Sequence, residues 1–207
     1  MSEEIDLKEI ERKAYLSYHQ DGLIDVFIGL AALFLATFLW LAPDMLIFIM
    51  GTMFMWTLLY IAAKKSVTVP RLGYVEFSKE RNTKTSVILL YIVVLNIVSL
   101  VISWWGWLNP SMFLIIEAHG FLVVGAAVAS IFVVVAYSSG IHRFYAYGVV
   151  TLLAFSVSHF LVLPFYLPIL SLGLVMAVAG MLMLYLFIRK YPKESTGEEL
   201  DARSAAR

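Results

Sequence analysis

Cysteine is absent from the 207 residues. Disulfides, thiolate metal sites and a cysteine nucleophile are therefore excluded. Charge is scarce as well: Asp, Glu, Lys and Arg make up 14% of the chain, against about 25% in soluble domains. With 61% hydrophobic residues, the composition is that of a chain whose solvent is lipid. Also missing are any Ser/His/Asp arrangement, HExxH sequence, phosphate-binding loop or nucleic-acid motif. These absences argue against an enzyme and against a nucleic-acid partner, and no cofactor or metal site is expected.

What is present is long and apolar. Six stretches, at 23–42, 45–63, 86–105, 112–137, 144–163 and 169–188, predict helices. A helix rises about 1.5 Å per residue and the hydrocarbon core is about 30 Å thick, so about 20 residues cross it, and each stretch supplies or nearly supplies that length. Threading them alternately leaves the N-terminus, residues 64–85, residues 138–143 and the C-terminal tail on one side. These segments carry 3, 6, 1 and 5 Lys/Arg, which is all 15 in the chain, and the other three connections carry none. Cationic loops resist translocation, so both termini are expected in the cytoplasm. Tryptophans 40, 104, 105 and 107 fall at the outer boundary, while Tyr15, Tyr18, Tyr60, Tyr137 and Tyr145 gather at the inner one, as amphipathic rings do among headgroups. The expected fold class is all-α: a polytopic membrane protein with six transmembrane helices in 21–190, an N-in/C-in orientation and an amphipathic N-terminal interfacial helix.

That interfacial helix falls within residues 1–20. Asp6 with Glu9 reads as a cap, Glu4 with Lys8 and Glu9 with Lys13 are acid-first pairs, and Leu7, Ile10, Ala14 and Tyr18 form one apolar seam. The first apolar stretch is too long for a signal-peptide core and is expected to be retained. Asp21 can cap the first span, and Asp25 shares a stripe with Gly29, Ala32 and Ala36, a close-packing face that would cover its carboxylate. Gly173, Ala177 and Gly180 repeat that small-residue spacing on the sixth span. Met45, Met50, Met53 and Met55 on the second span read as flexible packing rather than a metal box. Residues 191–207 read as a polar, disordered tail.

Within the basic loop 64–85, residues Val67 to Phe77 alternate β-branched and other residues around Pro70, Arg71, Leu72 and Gly73, predicting a small β-hairpin or an extended strap. Lys64, Lys65, Arg71, Tyr74, Lys79, Arg81 and Lys84 are the expected contacts to membrane lipid or a partner, because basic juxtamembrane clusters attract anionic lipid. The alternative is a charge cluster that only sets topology. The entry Asp21, Gly22, Leu23, the loop Pro70, Arg71, Leu72, Gly73, Tyr74, Val75 and the later Arg143, Phe144, Tyr145 resemble a group of small prokaryotic multi-span membrane proteins with a Pro-Arg-x-Gly-Tyr-Val cytoplasmic loop. The resemblance covers under a tenth of the chain. It implies a prokaryotic inner (plasma) membrane and no particular chemistry.

Polar side chains within spans are costly and need a reason. Depth counting puts Asn96, His119 and His159 roughly 12, 10 and 6 Å from the outer ends at about 1.5 Å per residue, with Ser103 on the face of Asn96. These four make a candidate intramembrane polar site. It reads either as a protonatable or cation-binding site or as interhelical hydrogen bonding. Glu117 stands two residues from His119, about 200° around the helix, so the two cannot grip one zinc ion. Glu117 lies on the stripe of Phe121, Val124, Val128 and Ile131, where a carboxylate is protonated, snorkels, or is covered by a second subunit or membrane partner. At the cytoplasmic end His19, Asp21, Asp25, His142 and Arg143 gather at helix ends, where capping and an Asp–Arg pair are expected rather than catalysis. Two functions fit: a non-enzymatic membrane component that binds a partner or anionic lipid at its cytoplasmic face, or a small proton-coupled permease using His119, His159 and Asn96.

Overall fold

The computed structural model describes residues 18–42, 46–72 and 79–192. Among them no strand is present, and the elements are α1 (Leu23–Leu41), α2 (Leu46–Val67), α3 (Val69–Leu72), α4 (Lys79–Leu108), α5 (Pro110–Ser139), α6 (Arg143–Phe160) and α7 (Tyr166–Lys190). The six long helices coincide with the six apolar stretches. Leu23–Leu41, Ser86–Gly106, Ala118–Ser139 and Tyr166–Lys190 are long and apolar enough to cross a membrane.

The helix ends differ from the expected ones for identifiable reasons. Pro110 starts α5 at its first position, where a missing N–H costs nothing. The α6 helix stops at Phe160, because the amide of Leu163 turns back to the carbonyl of Ser158 and Val162 takes φ 53°. The largest difference lies at 67–72, where a β-hairpin or strap was expected and the backbone is helical. The Thr68 amide donates to the Lys64 carbonyl at 3.0 Å and the Leu72 amide to the Thr68 carbonyl at 3.0 Å, so the helical ladder continues through the β-branched residues. Pro70 is the second residue of α3, within a first turn that tolerates it. Residues 73–77 of the expected strap, the expected interfacial helix before Tyr18 and the tail from 193 lie outside the described residues.

Neighbouring helices form a row in the order α2, α1, α7, α6, α5, α4. The two helices at its ends are joined through α3 and the segment to Lys79. Five helix spacings of about 8–10 Å would separate the ends of a flat row by about 40–50 Å. Residues 67–79 could reach at most about 30 Å, whatever path the chain takes after Leu72. The row must therefore curve.

Its centre is the cluster Phe132, Ala136, Ile141, Phe144, Tyr147, Leu172 and Met176, contributed by α5, α6 and α7 with the turn that joins α5 to α6. Phe132 stacks on Phe144 at 6.2 Å between ring centroids and Tyr147 meets both rings edge-on. Beside this core, α1 lies almost backbone to backbone on α7. A Cβ placed on Gly29 would stand 2.8 Å from Ala177 Cα, one on Gly173 2.9 Å from Leu33 N, and one on Gly180 2.5 Å from Val26 N. The small-residue stripes expected on the first and sixth spans are this interface. In lipid, where apolar surface gains little by hiding from its solvent, such closeness stabilises through dispersion between many atoms in contact. The outer helix α4 is the opposite case: none of its described side chains from Ser86 to Trp105 is buried inside the chain.

Candidate functional site

Two polar clusters lie at opposite ends of the helices, one around Arg143 at the start of α6 and one around His159 near its end. The first is built where the chain enters α1. Gly22 has φ 72°, and a Cβ there would lie 2.5 Å from the Gly180 carbonyl oxygen, so only glycine lets the chain turn this close to α7. The turn places Asp21 fully out of solvent. Its Oδ1 accepts the Leu23 amide at 3.1 Å, as the expected cap for α1, and its Oδ2 accepts the Thr68 hydroxyl at 2.6 Å. Lys64, one turn before Thr68, brings its ammonium to 3.6 Å from the same oxygen, donates to the Tyr60 hydroxyl at 3.2 Å and sits 4.2 Å over the Tyr18 ring.

Lys64 is thus buried between an acid and two tyrosines, and it does not face lipid as the sequence reading had it. It lies one residue beyond the apolar stretch 45–63, and burial lowers its pKa below the ordinary 10.5, with Asp21 pulling it back up. Arg71 also turns inward, donating from Nη1 to the Val67 carbonyl at 2.7 Å. Lys65 is exposed on the surface of α2. Lys79, Arg81 and Lys84 extend the first turns of α4, with side chains outside the described residues, as is Tyr74 altogether.

One turn into α1, Asp25 is equally buried. Arg143, the first residue of α6, donates from Nε to Asp25 Oδ1 at 3.0 Å, places Nη2 2.7 Å from Oδ2 and donates from Nη2 to the His19 carbonyl at 2.8 Å. Of the two aspartates it is Asp25 that pairs with Arg143, and the guanidinium also holds the chain just before α1. With Lys64 on α2, Thr68 in the turn just after it and Arg143 on α6, the two carboxylates tie α1 to α2 and α6 at one level. Nothing here is arranged as a nucleophile with a base. Each carboxylate is occupied by partners that hold backbone in place.

At the other end, α5 and α6 bring His119 and His159 together, with ring centroids 5.9 Å apart and planes at 50°. His119 is exposed and His159 half-buried, with Phe160 edge-on to the His159 ring at 5.3 Å. His159 is the penultimate residue of α6, three before Val162, whose φ of 53° is strained for a β-branched side chain. Asn96 does not join them. Its amide donates to the Ile92 carbonyl of its own helix at 2.8 Å, on an exposed face. The α4–α5 register shows why. Tyr91 donates to Ser130 at 2.9 Å, so Asn96 is level with Gly125, six residues or about 9 Å along the axis from His119. Ser103 and Glu117 lie on α4 and α5, with their side chains outside the described residues.

The Asp21–Thr68–Lys64 network is the part that sequence reasoning missed. Its signal was Lys64 and Thr68, one turn apart at the end of an apolar helix that follows a loop-borne aspartate. Set against known protein families, curated proteins and solved structures, the chain matches no family model, no curated protein and no solved structure.

Proposed function

We propose that the protein is a non-enzymatic, multi-pass component of a prokaryotic inner (plasma) membrane, with six spans, both termini in the cytoplasm and a basic cytoplasmic face that binds anionic lipid or an acidic partner. The observation that carries this reading is the distribution of charge: every Lys and Arg falls in the four segments on one side of the threading, and none in the other three connections. The ion pairs fit it. Arg143 and Lys64 are spent inside, on Asp25 and Asp21, which leaves Lys65, the α4 entry with Lys79, Arg81 and Lys84, and Arg189 and Lys190 at the end of α7 to meet headgroups. Each such cation near an anionic surface contributes about 1 kcal/mol. The permease reading needs His119, His159 and Asn96 in one cavity, and the separate position of Asn96 counts against it.

Two measurements test the proposal. Because the chain has no cysteine, Lys65→Cys and Asn109→Cys each give a single reporter. In intact cells, an impermeant maleimide is expected to label Asn109→Cys and not Lys65→Cys, and the reverse pattern overturns the orientation. In nanodiscs of mixed phosphatidylglycerol and phosphatidylcholine, the protein is expected to enrich the anionic lipid around itself. Lys65, Lys79, Arg81 and Lys84 changed together to Gln should abolish that enrichment. Enrichment unchanged by the four substitutions refutes lipid binding at this face.

A further inference from the structure

We propose that His119 and His159 form a two-imidazole site for a borderline divalent cation, such as copper, nickel or zinc, at the end of the molecule away from its basic face. With metal–nitrogen bonds of about 2.0–2.1 Å and an imidazole radius of about 1.2 Å, each ring centre stands about 3.2 Å from a shared ion, and at a tetrahedral angle of about 109° the two centres lie about 5.2 Å apart. The observed separation is 5.9 Å. The difference of about 0.7 Å, or a wider ligand angle, is within reach of two side chains of which neither is fully buried. The rings are tilted at 50° rather than stacked face to face.

Three further features define what would bind. Among the described residues, no group of three or more His, Cys, Asp or Glu could hold an ion, so water completes the coordination and the ion exchanges readily. Two imidazoles favour copper over nickel and zinc by the usual affinity order, and they offer nothing to magnesium or calcium, which take oxygen ligands. The connections at this end, 43–44, 106–111 and 161–165, contain no Lys or Arg, so an arriving cation meets no fixed positive charge from them. The ion is bound and released without redox change; protons on the ligand nitrogens, where present, are displaced to water.

The test uses the untagged full-length chain in phosphatidylcholine nanodiscs. Copper(II) titration followed by electron paramagnetic resonance is expected to saturate at one ion per chain with hyperfine coupling to two nitrogens. Calorimetric titration with nickel and zinc should show the same stoichiometry, and magnesium should give no heat of binding. His119→Ala and His159→Ala are each expected to weaken copper binding at least tenfold, whereas His142→Ala, at the opposite end, leaves it unchanged. No saturable binding, coupling to a single nitrogen, or affinity that survives either outer substitution within twofold overturns the proposal. The nitrogen count on the unaltered chain decides the matter even where a variant fails to fold.

Discussion

Gly29→Ala is the sharpest perturbation of the packing, because the added methyl meets backbone and not a movable side chain. A Cβ at Gly29 stands 2.8 Å from Ala177 Cα and 2.9 Å from the Gly173 carbonyl oxygen, and closer still to the Ala177 amide nitrogen. Ordinary contact begins at 3.4 Å, so α1 and α7 must move apart by more than half an ångström along a face that includes Gly173, Ala177 and Gly180. A gap of 0.5–1 Å forfeits about a quarter to a half of each dispersion contact. Overpacking of a rigid site costs about 1–3 kcal/mol, here toward the upper end. Replacing a helical glycine by alanine returns about 0.5–1 kcal/mol. The net expectation is a loss of about 2 kcal/mol. Gly120→Ala is the internal control: the same change in α5 meets nothing within 4 Å, so only the propensity gain of about 0.5–1 kcal/mol remains. The assay is reversible unfolding by SDS titration in mild-detergent micelles, read by circular dichroism. If Gly29→Ala unfolds at the same SDS fraction as the unaltered chain, or Gly120→Ala is the more damaged of the two, the close α1–α7 packing is refuted.

Further outcomes can be read in the same assay. Arg143→Ala strands the buried Asp25 carboxylate and is expected to cost about 3 kcal/mol, the lower end of the range for breaking a buried pair because the arginine is partly exposed; Asp25→Ala combined with Arg143→Ala should be the more stable variant, and equal losses would contradict the pairing. Thr68→Val removes a 2.6 Å hydrogen bond to a buried carboxylate and should cost about 1.5–3 kcal/mol, whereas a neutral result would mean that Asp21 does not depend on Thr68. Val162→Gly relieves a left-handed backbone and should stabilise by about 1 kcal/mol; a loss of stability would show that the turn after α6 is not strained.

What was legible in the sequence was what repeats with the helical period. The stripe of Asp25, Gly29, Ala32 and Ala36 announced the α1–α7 contact, because small residues one turn apart have few other uses in an apolar helix. An Asp–Arg pair followed from opposite charges at helix ends on the same side, although which of Asp21 and Asp25 meets Arg143 is decided by the packing. The residues from Val67 to Leu72 misled, because β-branched alternation describes a side-chain pattern while the hydrogen bonds of Thr68 are decided by Lys64 behind it and by Asp21, 47 residues away. Lys64 was counted with the surface cations for the same reason: its partner is distant in sequence. The polar layer failed at Asn96, since depth measured from expected helix ends ignores the register set by Tyr91 and Ser130. Of the three residues that depth counting set in one layer, His119 and His159 lie 5.9 Å apart, because α5 and α6 are sequential and joined by a short turn.

The two aspartates also carry a timetable. A ribosome releases the chain from its N-terminus, so α1 emerges with both acids unmet. Asp21 waits 47 residues for its threonine, and Asp25 waits 118 for its arginine. Until α6 is made, the first helix carries an acid that lipid rejects, and it must linger beside water, a headgroup or the insertion machinery. Arrival of Arg143 closes the assembly, so the last of these joints to form is anchored in the first of the described helices.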